Sequence, residues 1–224
     1  MRQSLIDYPG HISAVVFTQG CNFRCVYCHN PELIPPAQKS NLLHPGEVLE
    51  YIRRYRHLLA AVAITGGEPT LHPALPDFIR RIKELDLKVK LDTNGTNPTM
   101  LALLLGEQLI DYVAMDIKAP LMLEKYRAIV GKRMNEEMMK KIRRSVQLLM
   151  DTSVPHEFRT TLVSPYHTPE EICQMISSLK GDYFLQKAIT AGKTLTNDFQ
   201  ILELSPEEID RLRLHKKEVN LHLR

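Results

Sequence analysis

Residues 12–30 read ISAVVFTQGCNFRCVYCHN, an apolar run that passes without a break into a loop with three cysteines. The apolar part, Ile12 to Thr18, predicts a buried β-strand. The cysteines follow at Cys21, Cys25 and Cys28, separated by three residues and then by two. This order predicts that the carboxyl end of the first strand of the fold carries chemistry.

The cysteine loop, defined here as residues 19–30, favours an iron–sulfur cluster. A closed [4Fe–4S] site usually takes four thiolates, one for each iron. The loop offers three, and the remaining cysteine, Cys173, lies far away in the sequence. Three ligands leave one iron open to a substrate or cofactor, so the loop indicates catalysis rather than simple electron storage.

Zinc is the alternative metal. The three cysteines and His29 could form a tetrahedral Cys3His site. His29 directly follows Cys28, however, whereas structural zinc sites usually present their ligands as two separated pairs. Disulfide pairing is disfavoured, because four cysteines in 224 residues are too few for a disulfide-stapled scaffold.

The composition is that of an ordinary globular protein and predicts one domain over residues 1–224. Hydrophobic residues make up 44% and charged residues 25%, and the net charge of +3 indicates no strongly charged partner. The basic clusters fit solvated helix faces, so we expect no nucleic-acid partner. No apolar run approaches the ~20 residues of a membrane span, so we expect no membrane association and a reducing, cytoplasmic compartment.

Apolar runs alternate with helical patterns along most of the chain. The predicted strands span residues 12–18, 60–65, 87–92, 112–118, 157–163 and 183–186. The predicted helices span residues 45–59, 73–85, 98–107, 121–150 with a break at Gly131, 169–179 and 206–218. A last edge strand at 219–223 completes a C-terminal unit of residues 205–224.

Repeated strand–helix units require a parallel sheet with right-handed crossovers. A full eight-unit barrel takes ~250 residues. Six units in 224 residues therefore predict an α/β fold that is a partial (β/α)6 TIM-like barrel. An open doubly wound sheet is the alternative.

Unusual polar residues at or just after the predicted strand ends favour the barrel, because active sites of parallel α/β folds lie there. They are the cysteine loop, Gly66-Gly67-Glu68-Pro69, Asp92-Thr93-Asn94-Gly95, Asp116-Ile117-Lys118, Arg159 and Gln186.

Two of these segments have chemistry of their own. The glycine pair Gly66-Gly67 lets the backbone approach a ligand closely, although a plain turn also explains it. Asp116 and Lys118 alternate with apolar residues, so both side chains point to one face, the inside of a barrel. Buried charges require a partner, which is either a ligand or a mutual ion pair.

Taken together, these residues resemble the radical S-adenosylmethionine (SAM) superfamily, whose signature is C-x3-C-x-aromatic-C. Tyr27 supplies the aromatic residue, and GGEP at 66–69 is a further family feature. Within the superfamily, CHN at 28–30, DTNG at 92–95 and DIK at 116–118 look like the glycyl-radical-enzyme activases. The opening SLIDYPG at 4–10, followed by TQGCNFRCVYCHNPEL, is most similar to the anaerobic ribonucleotide reductase activating proteins.

The resemblance implies a set of cofactor contacts. Cys21, Cys25 and Cys28 would hold a [4Fe–4S] cluster, and SAM would chelate the open iron. Gly66, Gly67, Glu68 and Pro69 would hold the ammonium end of SAM, Lys118 and Arg159 its carboxylate, and Tyr27, Cys28 and His29 its adenine. Asp92, Asn94 and Asp116 would lie beside SAM, where some activases bind a monovalent cation near the two aspartates. Gln186 stands where those relatives carry a histidine.

The resemblance also implies the reaction. The reduced cluster would cleave SAM to methionine and a 5′-deoxyadenosyl radical, which abstracts hydrogen from a glycine of a partner enzyme, most simply an anaerobic ribonucleotide reductase. No catalytic residue beyond the cluster and SAM is implied, and flavodoxin or ferredoxin would supply the electron. Two alternatives remain: a radical SAM enzyme acting on a small molecule, like 7-carboxy-7-deazaguanine synthase, and a non-enzymatic zinc-binding interaction protein.

Overall fold

The described part of the chain forms one nine-stranded sheet with seven α-helices around it. This computed structural model describes residues 2–36, 42–189, 194–196 and 198–224. The strands are β1 (Arg2–Ser4), β2 (Ser13–Thr18), β3 (Ala61–Gly66), β4 (Lys88–Thr93), β5 (Tyr112–Asp116), β6 (His156–Ser164), β7 (Gly181–Lys187), β8 (Gln200–Ile201) and β9 (Val219–Leu223). The helices are α1 (Pro45–Tyr55), α2 (Leu75–Lys83), α3 (Pro98–Gly106), α4 (Leu123–Val130), α5 (Glu136–Asp151), α6 (Pro169–Ser177) and α7 (Pro206–His215).

The strand order is β1-β2-β3-β4-β5-β6-β7-β9, with β8 paired to β6. Strands β2 to β7 pair in parallel in their chain order, and β9 extends β7 in parallel. A doubly wound sheet would reverse its order at a switch point, and this sheet does not. The partial (β/α)6 TIM-like barrel predicted from the sequence is therefore confirmed, and the carboxyl ends of six strands lie along one rim.

Strand β6 shows how the two faces of the sheet differ. Phe158 and Thr160 lie on the helix-covered face, where the Thr160 hydroxyl is 3.9 Å from the sulfur of Met175 in α6. Arg159, between them, points to the inner face and donates from Nε to Asp116 of β5 at 2.9 Å. Because successive strand side chains alternate, the apolar core lies under the helices and the charged residues line the inside of the barrel.

The helix starts follow from local sequence. Capping boxes begin α1, α6 and α7, where His44, Thr168 and Ser205 cap the helix and a glutamate three residues later returns the bond. Each cap is followed by a proline at the first helical position, which lacks the N–H that a helix start leaves unpaired. The predicted break at Gly131 is confirmed: α4 ends at Val130, and Gly131 adopts a φ of 98°.

Two strands were not predicted. β1 pairs antiparallel with β2, and β8 pairs antiparallel with β6. They have three and two residues, too few for an alternating pattern to be recognised. Within the described residues, no helix combines the length and the apolar character needed to cross a membrane.

Candidate active site at the strand ends

The cysteine loop leaves the carboxyl end of β2 and is fastened by its backbone to two neighbouring segments. Gly20 and Cys21 donate to the carbonyls of residues 33 and 34, just beyond the loop, at 2.8 and 3.1 Å. On its other side, Arg24 and Val26 donate to the last two carbonyls of α4 at 2.9 and 3.0 Å. A helix leaves its final carbonyls without internal partners, so α4 offers natural acceptors for this loop.

All three cysteines of the loop are free thiols in a partly buried setting. Burial raises the pKa of each thiol, to about 12 for Cys25, while the nearby Lys118 ammonium opposes the rise. A thiol binds a metal as thiolate, so metal binding here must expel the protons. Among the described residues, no group of three or more His, Cys, Asp or Glu side chains is placed to hold a metal ion. The match to a metal group therefore rests on the donor set rather than on a preformed coordination geometry.

The glycine turn after β3 packs directly on the cysteine loop. Gly67 donates to the carbonyl of Thr18 at 2.8 Å, and Glu68 donates to the carbonyl of Gly20 at 2.9 Å. Gly66 has a φ of 113°, a conformation that favours glycine. The close approach that the glycine pair predicted is thus made, in the described structure, to the backbone of the cysteine loop.

Glu68 is a buried anchor between the ends of β3 and β4. Its carboxylate accepts from the Thr70 amide and hydroxyl at 3.1 and 2.5 Å, from the Thr93 hydroxyl at 2.7 Å and from the Asn94 amide at 2.6 Å. Burial raises the pKa of Glu68, and these hydrogen bonds oppose the rise. The side chain and the amides of Gly67 and Glu68 are thus engaged by the protein itself, which leaves the carbonyl oxygens of the turn to contact a ligand.

Asn94 is likewise tied to the cysteine loop. Its side-chain amide donates to Asn22 at 2.9 Å, and Asn22 donates to the Thr96 hydroxyl at 2.8 Å. No pattern in the sequence singled out Asn22 or Thr96. Both lie beside predicted site residues, but their pairing depends on how the loop folds back over β4.

A charged network lies inside the barrel where β4, β5 and β6 end. Arg159 joins the two aspartates, donating to Asp116 at 2.9 Å and to Asp92 at 3.4 Å. Lys90 donates to the other oxygen of Asp92 at 2.5 Å, and Lys118 to the other oxygen of Asp116 at 2.9 Å. The mutual ion pair that the sequence left open is therefore present. Lys90 was missed, although it alternates with Asp92 and so shares its face.

The network carries three positive and two negative side chains, a surplus of one positive charge. Burial raises the pKa of Asp116, but the Arg159 and Lys118 cations outweigh burial and bring this pKa to about 2. Burial lowers the pKa of Lys118, but Asp116 outweighs it and holds the pKa well above its usual value. The surplus suits an anionic group of a ligand. All four carboxylate oxygens are engaged by protein cations, so a monovalent cation between Asp92 and Asp116 would have to displace one of these side chains.

Tyr27 connects the cysteine loop to this network. Its ring is buried, and the Lys118 ammonium lies 5.7 Å from the ring centroid. Among the described residues its hydroxyl is buried without a hydrogen-bond partner, which is unusual for a polar atom.

His29 and Gln186 lie farther along the rim. The ring nitrogen Nε2 of His29 accepts from the Ile189 amide at 3.2 Å, and burial lowers the pKa of His29. Gln186 lies on β7 opposite Thr161 of β6 and helps to line a groove of about 330 Å³. Among the described residues that line this groove, Gln186 is the only predicted site residue.

Comparison with known proteins agrees with this arrangement. Residues 15–179 match the family model of the radical SAM superfamily. The chain belongs to the radical SAM superfamily. The resemblance stated from the sequence is confirmed, and with it the prediction that the chain is a radical SAM enzyme.

Among the relatives of this radical SAM protein is one from Methanocaldococcus jannaschii whose name assigns it to glycyl-radical enzyme activation. The two are 37% identical over 180 residues, which cover 79% of this chain and 72% of the relative. The 7-carboxy-7-deazaguanine synthase of Methanopyrus kandleri is 30% identical over 135 residues, covering 50% of this chain and 52% of that enzyme.

Streptococcus suis SuiB, solved with S-adenosylmethionine bound, has the same fold. Its TM-score is 0.68 at 13% identity, over 95% of this chain and 50% of SuiB. The chain thus spans only half the length of that solved structure.

Membership of the superfamily implies a [4Fe–4S] cluster and SAM, and the residues present fit both. The donor set fits the cluster: three free thiols on one loop, with one thiol fewer than irons. The surplus positive charge of the network fits the carboxylate of SAM. Among the described residues the Tyr27 hydroxyl has no hydrogen-bond partner, so it could bond to a polar atom of a ligand.

Proposed function

We propose that this protein is a radical SAM activase that generates a glycyl radical on a partner enzyme. The observation that carries the proposal is the juxtaposition, at one rim, of three free thiols with a buried network whose surplus charge is positive. The relative that is 37% identical over 180 residues and is named for glycyl-radical enzyme activation supports the choice of substrate. When bound, the cluster and SAM supply a low-potential electron and a carbon-centred radical.

The role of the chain is to hold and orient these groups. Cys21, Cys25 and Cys28 would give up their protons to bind three irons. Their partly buried setting limits access of water to the site. The backbone of residues 66–69 would receive the ammonium end of SAM, while the side chain of Glu68 keeps that turn rigid through its four hydrogen bonds.

Charge complementarity indicates which residues would bind the carboxylate end of SAM. Lys118, with Arg159 behind it, would neutralise the carboxylate, since both side chains keep their charge at neutral pH. Tyr27 with the backbone of Cys28 and His29 would contact the adenine. Asp92 and Asn94 would support this surface from the end of β4. A contact from Gln186 stays a prediction, as does a monovalent cation, which would require Lys90 or Arg159 to swing away.

The preferred partner is an anaerobic ribonucleotide reductase, which the opening segment at residues 4–10 and the cysteine loop suggest by resemblance. The electron would come from flavodoxin or ferredoxin. The three loop cysteines would hold one cluster, and Cys173 alone could not hold a second cluster to carry the electron. A reducing, cytoplasmic compartment belongs to this proposal and agrees with four free thiols.

The second candidate is a radical SAM enzyme that acts on a small molecule. The 30% identity to a 7-carboxy-7-deazaguanine synthase supports it. The match covers half of this chain, against 79% for the activase relative, so we place it second. A non-enzymatic zinc protein would bind zinc and lack sulfide.

The first experiment tests the chemistry. Protein reconstituted without oxygen and reduced with dithionite should convert SAM to 5′-deoxyadenosine, and the Cys25→Ala variant should not. Iron and sulfide analysis accompanies the assay. Zinc without sulfide in protein purified under argon would refute the radical SAM assignment for this chain.

The second experiment tests the partner. The reduced protein and SAM are mixed with an anaerobic ribonucleotide reductase, and electron paramagnetic resonance is used to detect a glycyl radical. A reductase with its radical glycine replaced by alanine is the control. Conversion of the substrate of 7-carboxy-7-deazaguanine synthase, with no radical on any glycyl radical enzyme, would favour the second candidate.

A further inference from the structure

Lys118 lies just beyond the end of β5, where two buried side chains hold its backbone. Its N–H donates to the hydroxyl of Tyr126 at 3.1 Å, and its carbonyl lies 2.9 Å from Nε2 of His167. Since a carbonyl can only accept, Nε2 carries the proton and donates to Lys118, while Nδ1 lies 3.1 Å from the Val163 amide and 3.2 Å from the Val163 carbonyl. Tyr126 is 0% and His167 2% exposed, so water does not replace either partner.

These contacts continue the sheet where its own hydrogen bonding stops. Ile117 still donates to the carbonyl of Arg159 at 2.8 Å and accepts from the Thr160 hydroxyl at 2.6 Å. At Lys118 both backbone bonds come from side chains. The direction in which Lys118 leaves the strand is therefore set by Tyr126 and His167.

The helix that carries Tyr126 also holds the cysteine loop. The carbonyls of Ile129 and Val130, at the end of α4, accept from Val26 and Arg24 of that loop at 3.0 and 2.9 Å. The eight-residue helix α4 thus contacts the cysteine loop through the carboxyl end of the helix, and the Lys118 backbone through Tyr126 in its first turn. Any displacement of α4 would move the two relative to each other.

We infer that Tyr126 and His167 are positioning residues that aim the Lys118 ammonium at the ligand beside the cysteine loop. The inference rests on the proposed role of Lys118 as the partner of the SAM carboxylate. A lysine side chain is long and flexible, so its aim depends on a fixed backbone. Small displacements of a binding group reduce its contribution strongly.

The test compares two variants that each remove one buried tyrosine hydroxyl. Tyr126→Phe removes the acceptor for Lys118. Tyr183→Phe is the control: Tyr183 is also 0% exposed, and its hydroxyl lies 2.6 Å from that of Thr160. Because the Thr160 proton is used by Ile117, Tyr183 donates to Thr160, and its loss leaves the bonds of residues 117 and 118 in place.

Binding of SAM to the reconstituted protein is measured by equilibrium dialysis, together with iron and sulfide content. Tyr126→Phe should retain its cluster and bind SAM about three- to tenfold more weakly, because a misdirected Lys118 ammonium loses part of its contact with the SAM carboxylate. Tyr183→Phe should bind within about twofold of the parent. Equal affinity in Tyr126→Phe and the parent, or equal losses in both variants, would overturn the inference.

His167 provides a rescue series. His167→Gln keeps an N–H that can reach the Lys118 carbonyl, whereas His167→Leu does not. We expect SAM affinity to fall in the order parent, Gln, Leu. Equal affinities of Gln and Leu variants would indicate a purely space-filling role and count against positioning.

Hydrogen exchange of the Lys118 amide gives a readout that needs no SAM. It should accelerate in Tyr126→Phe and remain slow in Tyr183→Phe. Unchanged exchange in Tyr126→Phe would refute the backbone clamp, which is the pair of hydrogen bonds that Tyr126 and His167 make with the backbone of Lys118. If the parent binds no SAM, the proposed function fails while this readout still judges the clamp. If the parent binds and cleaves SAM without activating any enzyme, only the partner is wrong.

Discussion

Gly67 stands so close to Gly20 that a β-carbon built on Gly67 would lie 2.1 Å from the Gly20 carbonyl oxygen. The contact joins the turn after β3 to the start of the cysteine loop. The neighbouring bond from Glu68 to the same carbonyl, at 2.9 Å, reinforces it. The position of the first cysteine thus depends on a backbone approach that only glycine permits.

Gly67→Ala should therefore displace the cysteine loop. The clash is with backbone rather than with a flexible side chain, so one of the two segments must move. We expect less than half of the iron and sulfide of the parent after identical reconstitution. Gly106→Ala, at the end of α3 with nothing near the added carbon, is the matched control and should load normally. Full loading of Gly67→Ala would show that the loop tolerates the shift.

Glu68→Gln should destabilise the protein although it changes a single atom type. The carboxylate accepts four hydrogen bonds, and an amide nitrogen cannot accept those that reach it. We expect the free energy of unfolding to fall by about 2–4 kcal/mol, measured by denaturant titration. The exposed Glu84→Gln should change it by less than about 0.5 kcal/mol. A similar change in both variants would mean that Glu68 is not an anchor.

The sequence predicted this rim well because strand periodicity and strand-end placement are local properties. Asp116 and Lys118 share a face by alternation, and the parallel strands bring them to the same edge as the cysteine loop. The four donors to Glu68 and the clamp from Tyr126 and His167 were not predictable in this way. They depend on which turns, strand ends and helices come into contact in the folded chain, and no spacing in the chain records that.

Arg159→Lys should weaken SAM binding while leaving the cluster intact. The guanidinium reaches Asp116 through Nε and Asp92 through Nη1, and one ammonium cannot reproduce that bridge. We expect about a tenfold rise in the dissociation constant of SAM, because one released carboxylate would compete for Lys118. Arg53→Lys, in an exposed pair with Glu50, is the control and should bind normally. Unchanged affinity in Arg159→Lys would separate the network from SAM binding.

His167 should make the protein less stable as the pH falls below neutrality. Burial lowers the pKa of His167 below its usual 6.5, although its bonds to Lys118 and Val163 and the nearby Glu171 carboxylate oppose this, while the Lys118 charge adds to it. In the unfolded chain His167 therefore binds a proton near pH 6.5, whereas in the folded protein it binds this proton only at lower pH. The contribution of neutral His167 is thus present above about pH 6.5 and is lost as the pH falls.

Thermal unfolding of the reconstituted protein between pH 7.5 and 5.5 checks this sign. The parent should lose melting temperature toward pH 5.5, and His167→Gln should show a flatter dependence because it cannot titrate. His57→Gln, at an exposed position on the surface, should keep the slope of the parent. A slope in His167→Gln as steep as that of the parent would mean that other groups govern the acid side. The same profile would then give no support to a neutral His167 at Lys118.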